Sequence, residues 1–236
     1  MVAVTLSMIL MAGVIQVYVS AKASYTVQHE LSTLQQNQRI AIELLSNDIR
    51  KAGLSIDQAV SAFYTKDTKI ANWDGENDDS DQITIAYESE KNCLGFETPK
   101  AGEDNAGIAV NRYFISNDNH LSCEGNGTVR SLVPGITNMQ ILYGEDTDPI
   151  VPGQIRTANR YVKPADANMN NVVSVRIALL FETDGVVRGV DEAEAQTRSY
   201  KLLDGPTLVF DDQDPTQTRQ IRREVVTTTI TLRNSS

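Results

Sequence analysis

The sequence predicts an α+β protein: a long N-terminal helical stalk packed on a mainly antiparallel β-sheet head. Two observations carry this. No charged residue occurs from Met1 to Ala21, and a helical apolar stripe follows directly as far as Ala52. After Leu54 the periodicity changes to short runs of alternating residues separated by Gly, Asn, Asp and Pro, the mark of strands and turns.

The first element divides in two. The run VAVTLSMILMAGVIQVYVSA ends before Lys22, the first charged residue, and a helix of roughly 20 apolar residues is what a bilayer core requires. A cleaved secretory signal would carry a basic residue ahead of the run and a small-residue cleavage site followed by a break in helical pattern. Neither is seen. Residues 1–24 are therefore expected to lie in lipid or in a packed helical bundle, with Val4, Met8, Met11, Ile15 and Val19 along one packing face. In residues 25–53, Leu31, Leu34, Gln38, Ala41, Leu45, Ile49 and Ala52 recur at spacings of three and four, one mostly apolar stripe. Leu31, Leu34, Ala41, Leu45 and Ile49 are expected to face the head, with Arg39, Glu43, Asp48 and Arg50 mainly off that stripe. Arg50 and Lys51 suit the negative end of the helix dipole, and Gly53 suits a left-handed cap. A helix over residues 1–52 would be roughly 78 Å long.

The head, residues 54–236, holds about 180 residues, enough for a domain with its own core. Its clearest strand is VVSVRIALLFE, with Val173, Val175, Ile177, Leu179 and Phe181 on one face at period two, followed by the turn pair Asp184-Gly185 and then Val186-Val187. Further strands are expected at Gln82–Tyr87, Arg112–Ser116, Met139–Tyr143, Asn159–Val162 and Val225–Arg233, with a turn at Asn126-Gly127. Asp191–Gln196 reads equally as a helical turn or a loop.

Charge and composition narrow the function. Hydrophobic residues make up 41% and charged residues 22% of the chain, the balance of a folded protein. The net charge is −10, and because residues 1–53 carry +1 the rest carries −11. Such a surface repels phosphate, so nucleic acid is disfavoured as a partner. Catalytic motifs fail on inspection. His29-Glu30 begins an HExxH pattern, but Thr33 stands where the second histidine belongs. GxSxG, P-loop and GxGxxG patterns do not occur, and His29 and His120 are the two histidines. His29 is expected on an exposed stalk face and His120 near a strand end. The acids Asp74, Glu76, Asp78, Asp79 and Asp81, like Glu145, Asp146 and Asp148, lack EF-hand spacing and read as solvated loops. Trp73, beside the first of them, reads as core. Arg219, Arg222 and Arg223 read as a solvated or salt-bridged face. No catalytic residue, cofactor or metal is expected.

Cys93 and Cys123 are the two cysteines. In an exported protein a disulfide between them is the leading reading; two reduced, buried cysteines are the alternative. A zinc site using Cys93, His120 and Cys123 lacks a fourth ligand.

The segments MVAVTLSMILMAGVIQVYVSAK, QQNQRIAIELLSNDIRKAGL, SDQITIAYES, NCLGFE, NRYFIS, LSCEGNG, LVPGITNMQILYGEDTD, ANRYV, VVSVRIALLFET and RQIRREVVTTTITLRN occur in that order. In order and content they resemble the PilW group of type IV minor pilins over most of the chain. The resemblance implies a subunit that helps to start pilus assembly, in a tip complex with other minor pilins and an adhesin, in support of adhesion and twitching motility. It implies contact with the major and minor pilins through the stalk, residence in the bacterial inner membrane with the head in the periplasm, and later a place on the cell-surface pilus near its tip. By the same resemblance the glutamate near the mature N-terminus would fall two residues before Met1. The upstream reading frame is thus expected to encode a basic leader ending in glycine, then the apolar–glutamate motif. Rival readings are the J-type pseudopilin of type II secretion and a membrane-anchored module that binds DNA or another ligand.

Overall fold

The computed structural model describes residues 2–55, 62–63, 80–100, 102–103, 105–149, 155–185, 198–210 and 221–233, with side chains in the helix described from Ser7 onward except Ile9. Trp73, the acids at 74, 76, 78 and 79, Val186-Val187, Asp191–Gln196 and Arg219 lie outside the described residues.

Helix α1 runs Val2–Ile49, 48 residues, about 72 Å at 1.5 Å per residue. It stops three residues short of the expected end because the ladder tightens: Lys51 and Ala52 donate to the carbonyls of Asp48 and Ile49, three residues back. Gly53 then turns left-handed, with φ +78°, and its N–H leaves the helix to donate to the Ala86 carbonyl at 2.9 Å. The cap thus joins the helix to the first sheet.

Strands β1 (Ile83–Glu88), β2 (Ile108–Ile115), β3 (His120–Gly125) and β4 (Thr128–Pro134) form an antiparallel meander in that order. The expected Asn126-Gly127 turn joins β3 to β4, with φ +47° and +87°, the double positive φ of a tight hairpin. Strands β5 (Ile136–Glu145), β6 (Arg160–Val162), β7 (Val172–Glu182) and β10 (Arg223–Thr231) form a second sheet in the order β10-β7-β5-β6. The corner between sheets is Gly135, at φ +75°. A Cβ there would lie 2.7 Å from the Glu182 carbonyl oxygen, so glycine is required twice over. Strands β8 (Arg198–Lys201) and β9 (Thr207–Phe210) make a separate ribbon.

One expectation changes. The alternation read in β7 implied one buried face, but Ala178 and Leu180 on the other face are buried too, against Leu202 and the partly buried Tyr200, Leu208 and Phe210 of the ribbon. A strand covered on both faces reads as a continuous apolar run. The turn expected at Asp184-Gly185 leads into Val186-Val187, which lie outside the described residues. Phe181 and Glu182 pair with β10 on one side, while Phe181 meets Ile136 and Glu182 bonds Gly135 on the other.

The main core lies between the sheets and the second half of α1. Leu34, Ala41, Leu45, Ile49 and Ala52 are buried there with Ile85, Tyr113, Met139, Ile177 and Phe181.

Candidate functional site

The two halves of α1 have opposite surroundings. Met8, Met11, Ile15 and Val19, on the face expected to pack against lipid or helices, are all exposed, Met11 at 69%. Leu10, Val14, Val17 and Tyr18 on the remaining faces are exposed as well, Val17 at 70%. Apolar surface is therefore bare around the whole circumference rather than along one seam. Val4 lies in the helix. Soluble monomers rarely leave more than a few hundred Å² of contiguous apolar surface open. Among the described residues no helix is long and apolar enough to cross a membrane.

The other half is fastened along its length. Leu31 is partly buried, and Leu34, Ala41, Leu45 and Ile49 are buried, each large side chain stabilising the junction by about 1.5–3 kcal/mol. Polar contacts fix the register. The Gly185 N–H donates to Glu30 Oε2 at 3.1 Å, Asn37 Nδ2 to the Pro134 carbonyl at 3.2 Å, and Gln38 Nε2 to Glu224 Oε2 at 3.2 Å.

At the far end of the stalk sits a buried carboxylate. Asp48 was expected off the apolar stripe, yet it is 7% exposed. Its position explains this, three residues after Leu45 and four before Ala52, which puts it on the stripe. The Tyr113 hydroxyl donates to Asp48 Oδ2 at 2.6 Å and Asn111 Nδ2 to the same oxygen at 2.8 Å. The Tyr87 hydroxyl donates to Oδ1 at 2.9 Å. Lys51 Nζ lies 3.5 Å from Oδ1 and 5.2 Å from the Tyr87 ring centre. Burial first, then the Asp48 charge, hold the Tyr87 and Tyr113 hydroxyls well above the ordinary phenol range. Both stay protonated as donors to the carboxylate. Nothing in the sequence but the stripe position itself could have revealed this cluster, since its hydrogen-bond donors lie 39 to 65 residues away.

Cys93 and Cys123 are joined by a disulfide. The Cys93 N–H donates to Asn111 Oδ1 at 3.0 Å, so the disulfide-held loop, β2 and the stalk all meet at one buried asparagine.

Several other polar groups have structural partners. Glu145 and Asp146 were expected in a solvated loop, but both are buried. Glu145 accepts from Arg160 Nε at 2.6 Å and from the Asn168 N–H. Asp146 accepts from the Asp148 and Thr157 N–H groups and faces Arg156 at 3.6 Å. Burial was possible because these cations and amides come with it. Among the described residues no group of His, Cys, Asp and Glu could hold a metal ion. His29 is exposed on the stalk, and His120 opens β3. Arg223 pairs with Glu182 at 3.4 Å.

A helix bare at one end and fastened along the other to a two-sheet head defines a stalked subunit of the pilin kind. The chain belongs to the type IV pilus-assembly protein W family, PilW, whose model matches residues 112–234, just over half of its length. That match runs from β2 through β10. Among solved structures, a type IV-like pilin from Thermus thermophilus is similar at 11% identity and a TM-score of 0.42, covering 86% of this chain and 98% of that one. No curated protein matches.

Proposed function

We propose that this chain is a minor pilin that helps to start type IV pilus assembly, near the tip, with other minor pilins and an adhesin, and so supports adhesion and twitching motility. Residues 1–24 serve as the membrane and filament-core half of the stalk, residues 25–53 as the half that holds the head, and residues 54–236 as the head. The observation that carries the reading is the exposed apolar circumference from Met8 to Val19 on a helix whose second half is pinned to the sheets. Such a helix can wait in the inner membrane, with the head in the periplasm, and then enter a bundle of like helices without refolding, since lipid and neighbouring stalks both cover apolar surface. No step of this role requires chemistry. Val14→Asp tests it, because a charge near the bilayer centre costs about 2.5–3.5 kcal/mol on insertion scales. In cells lacking this subunit, Val14→Asp should fail to restore sheared surface pili at protein levels equal to the unmodified chain. Full piliation by that variant would overturn the reading.

A further inference from the structure

Strand β10 closes one side of the second sheet, and its outer edge is open among the described residues. Its hydrogen-bond phase shows which groups face outward. Arg222 accepts from the Thr183 N–H, and the Leu232 N–H donates to the Val173 carbonyl. Both are even-numbered, and antiparallel bonding alternates, so the even residues bond β7. The N–H and C=O groups of Arg223, Val225, Thr227, Thr229 and Thr231 therefore point away from β7. Thr227, Thr229 and Thr231 are exposed.

Open edges of this kind invite foreign strands, and proteins usually blunt them with short length, charge, proline or a bulge. Beyond Arg223 and Glu224 at its start, β10 has none of these. It is nine residues long, pairs with β7 without a register shift, and carries no charge, proline or glycine from Val225 to Leu232. The other edges are managed. β1 is covered by the bridge from Phe63 to Ile85 and by bonds with Gly53 and Leu54, β4 carries a bulge at Leu132, opposite Leu121/Ser122, and β6 has three residues.

We propose that the β10 edge binds an extended segment of a different protein chain as an added strand, and that this segment has a β-branched centre and an acidic residue at each end. Main-chain bonds would supply the affinity, as in other strand additions. Charge supplies the choice of flanks. The chain as a whole is acidic, yet Arg222 and Arg233 stand exposed at the two ends of this neutral strand with no carboxylate partner among the described residues. A second copy is the wrong occupant, because antiparallel self-pairing of β10 would set the arginines of one copy beside those of the other. The edge belongs to the head alone, so a failed test leaves the role of the stalk untouched.

The test uses the full chain in detergent micelles and peptides of alternating valine and threonine. One peptide has glutamate at both ends, the other lysine. Amide hydrogen exchange is followed at Thr227, Thr229 and Thr231. Exchange at these amides should be fast in the chain alone and slow at least tenfold with the glutamate peptide, and the lysine peptide should bind at least tenfold more weakly. Thr227→Pro removes an outward N–H while sparing the β7 ladder, and should weaken the glutamate peptide at least tenfold. If that variant does not fold, exchange in the unmodified chain decides. Four results would each overturn the proposal: amides already protected without peptide, protection that appears only as the chain self-associates, equal effects of the two peptides, or no protection at millimolar glutamate peptide.

Discussion

Replacing Asp48 by leucine should destabilise the head more than any comparable change on the stalk. The substitution keeps an apolar side chain on the stripe but removes the acceptor of three buried donors: the Tyr87 hydroxyl, the Tyr113 hydroxyl and Asn111 Nδ2. Asn111 retains the Tyr87 oxygen at 3.1 Å, so two hydroxyls are orphaned. At about 1–3 kcal/mol for each unsatisfied buried donor, the expected loss is about 4 kcal/mol. The combined change Asp48→Leu, Tyr87→Phe, Tyr113→Phe removes both hydroxyls and leaves only the Asn111 amide without an acceptor. It should therefore recover about 2 kcal/mol relative to Asp48→Leu alone, although it carries more substitutions. Urea unfolding of the full chain in mild detergent, followed by far-UV circular dichroism, measures both. Amides of residues 41–49 should also exchange faster in the single variant, as the helix end lifts from β1 and β2. A loss below about 0.5 kcal/mol, the range of ordinary surface changes, or a triple variant weaker than the single one, would refute the assignment of Asp48 as the pin between stalk and head.

The same cluster, together with Tyr143, should set the alkaline limit of the fold. Tyr87, Tyr113 and the fully buried Tyr143 all have hydroxyls held above the ordinary range, chiefly by burial and then by Asp48 or Asp81. The unfolded chain therefore loses these protons first, near pH 10. Stability should be flat below about pH 10 and then fall by about 1.4 kcal/mol per pH unit for each tyrosine; urea midpoints taken from pH 8 to 11.5 check this, Tyr113→Phe should lessen the slope by one proton, and a flat profile to pH 11.5 would exclude it. Cys93 and Cys123 are 30 residues apart, so Cys123→Ser should cost about 3–4 kcal/mol by loop closure, and mass spectrometry of the unreduced native chain should find no free thiol.

What could be read beforehand was what depends on neighbours in sequence. The stripe from Leu31 to Ala52 and the turn at Asn126-Gly127 are local patterns. β7 was placed at Val172–Glu182, where it lies; β1, β5, β6 and β10 were placed within a few residues of their ends. HLSCEG and TVRSLVP lack a clear apolar alternation, so nothing local marks β3 and β4, which hold their place through cross-strand pairing. The ribbon β8-β9 has no clear local signal for a related reason: its apolar residues face β7 and β10 rather than the main core. The burial of Asp48 and Glu145 was out of reach, since a carboxylate is buried only where donors from other elements converge. Neither acid announces those donors in its own surroundings.

The central claim is that the bare half of α1 is the part that enters the pilus. It is tested most directly with a chain beginning at Tyr25, expressed with an export signal in cells lacking this subunit. That chain retains Leu31, Leu34, Ala41, Leu45, Ile49 and the Asp48 cluster, so it should fold and remain soluble. Sheared surface pili are scored alongside immunoblots that establish equal protein levels. The account predicts a folded, abundant head and no restored pili; normal piliation from that head would contradict it.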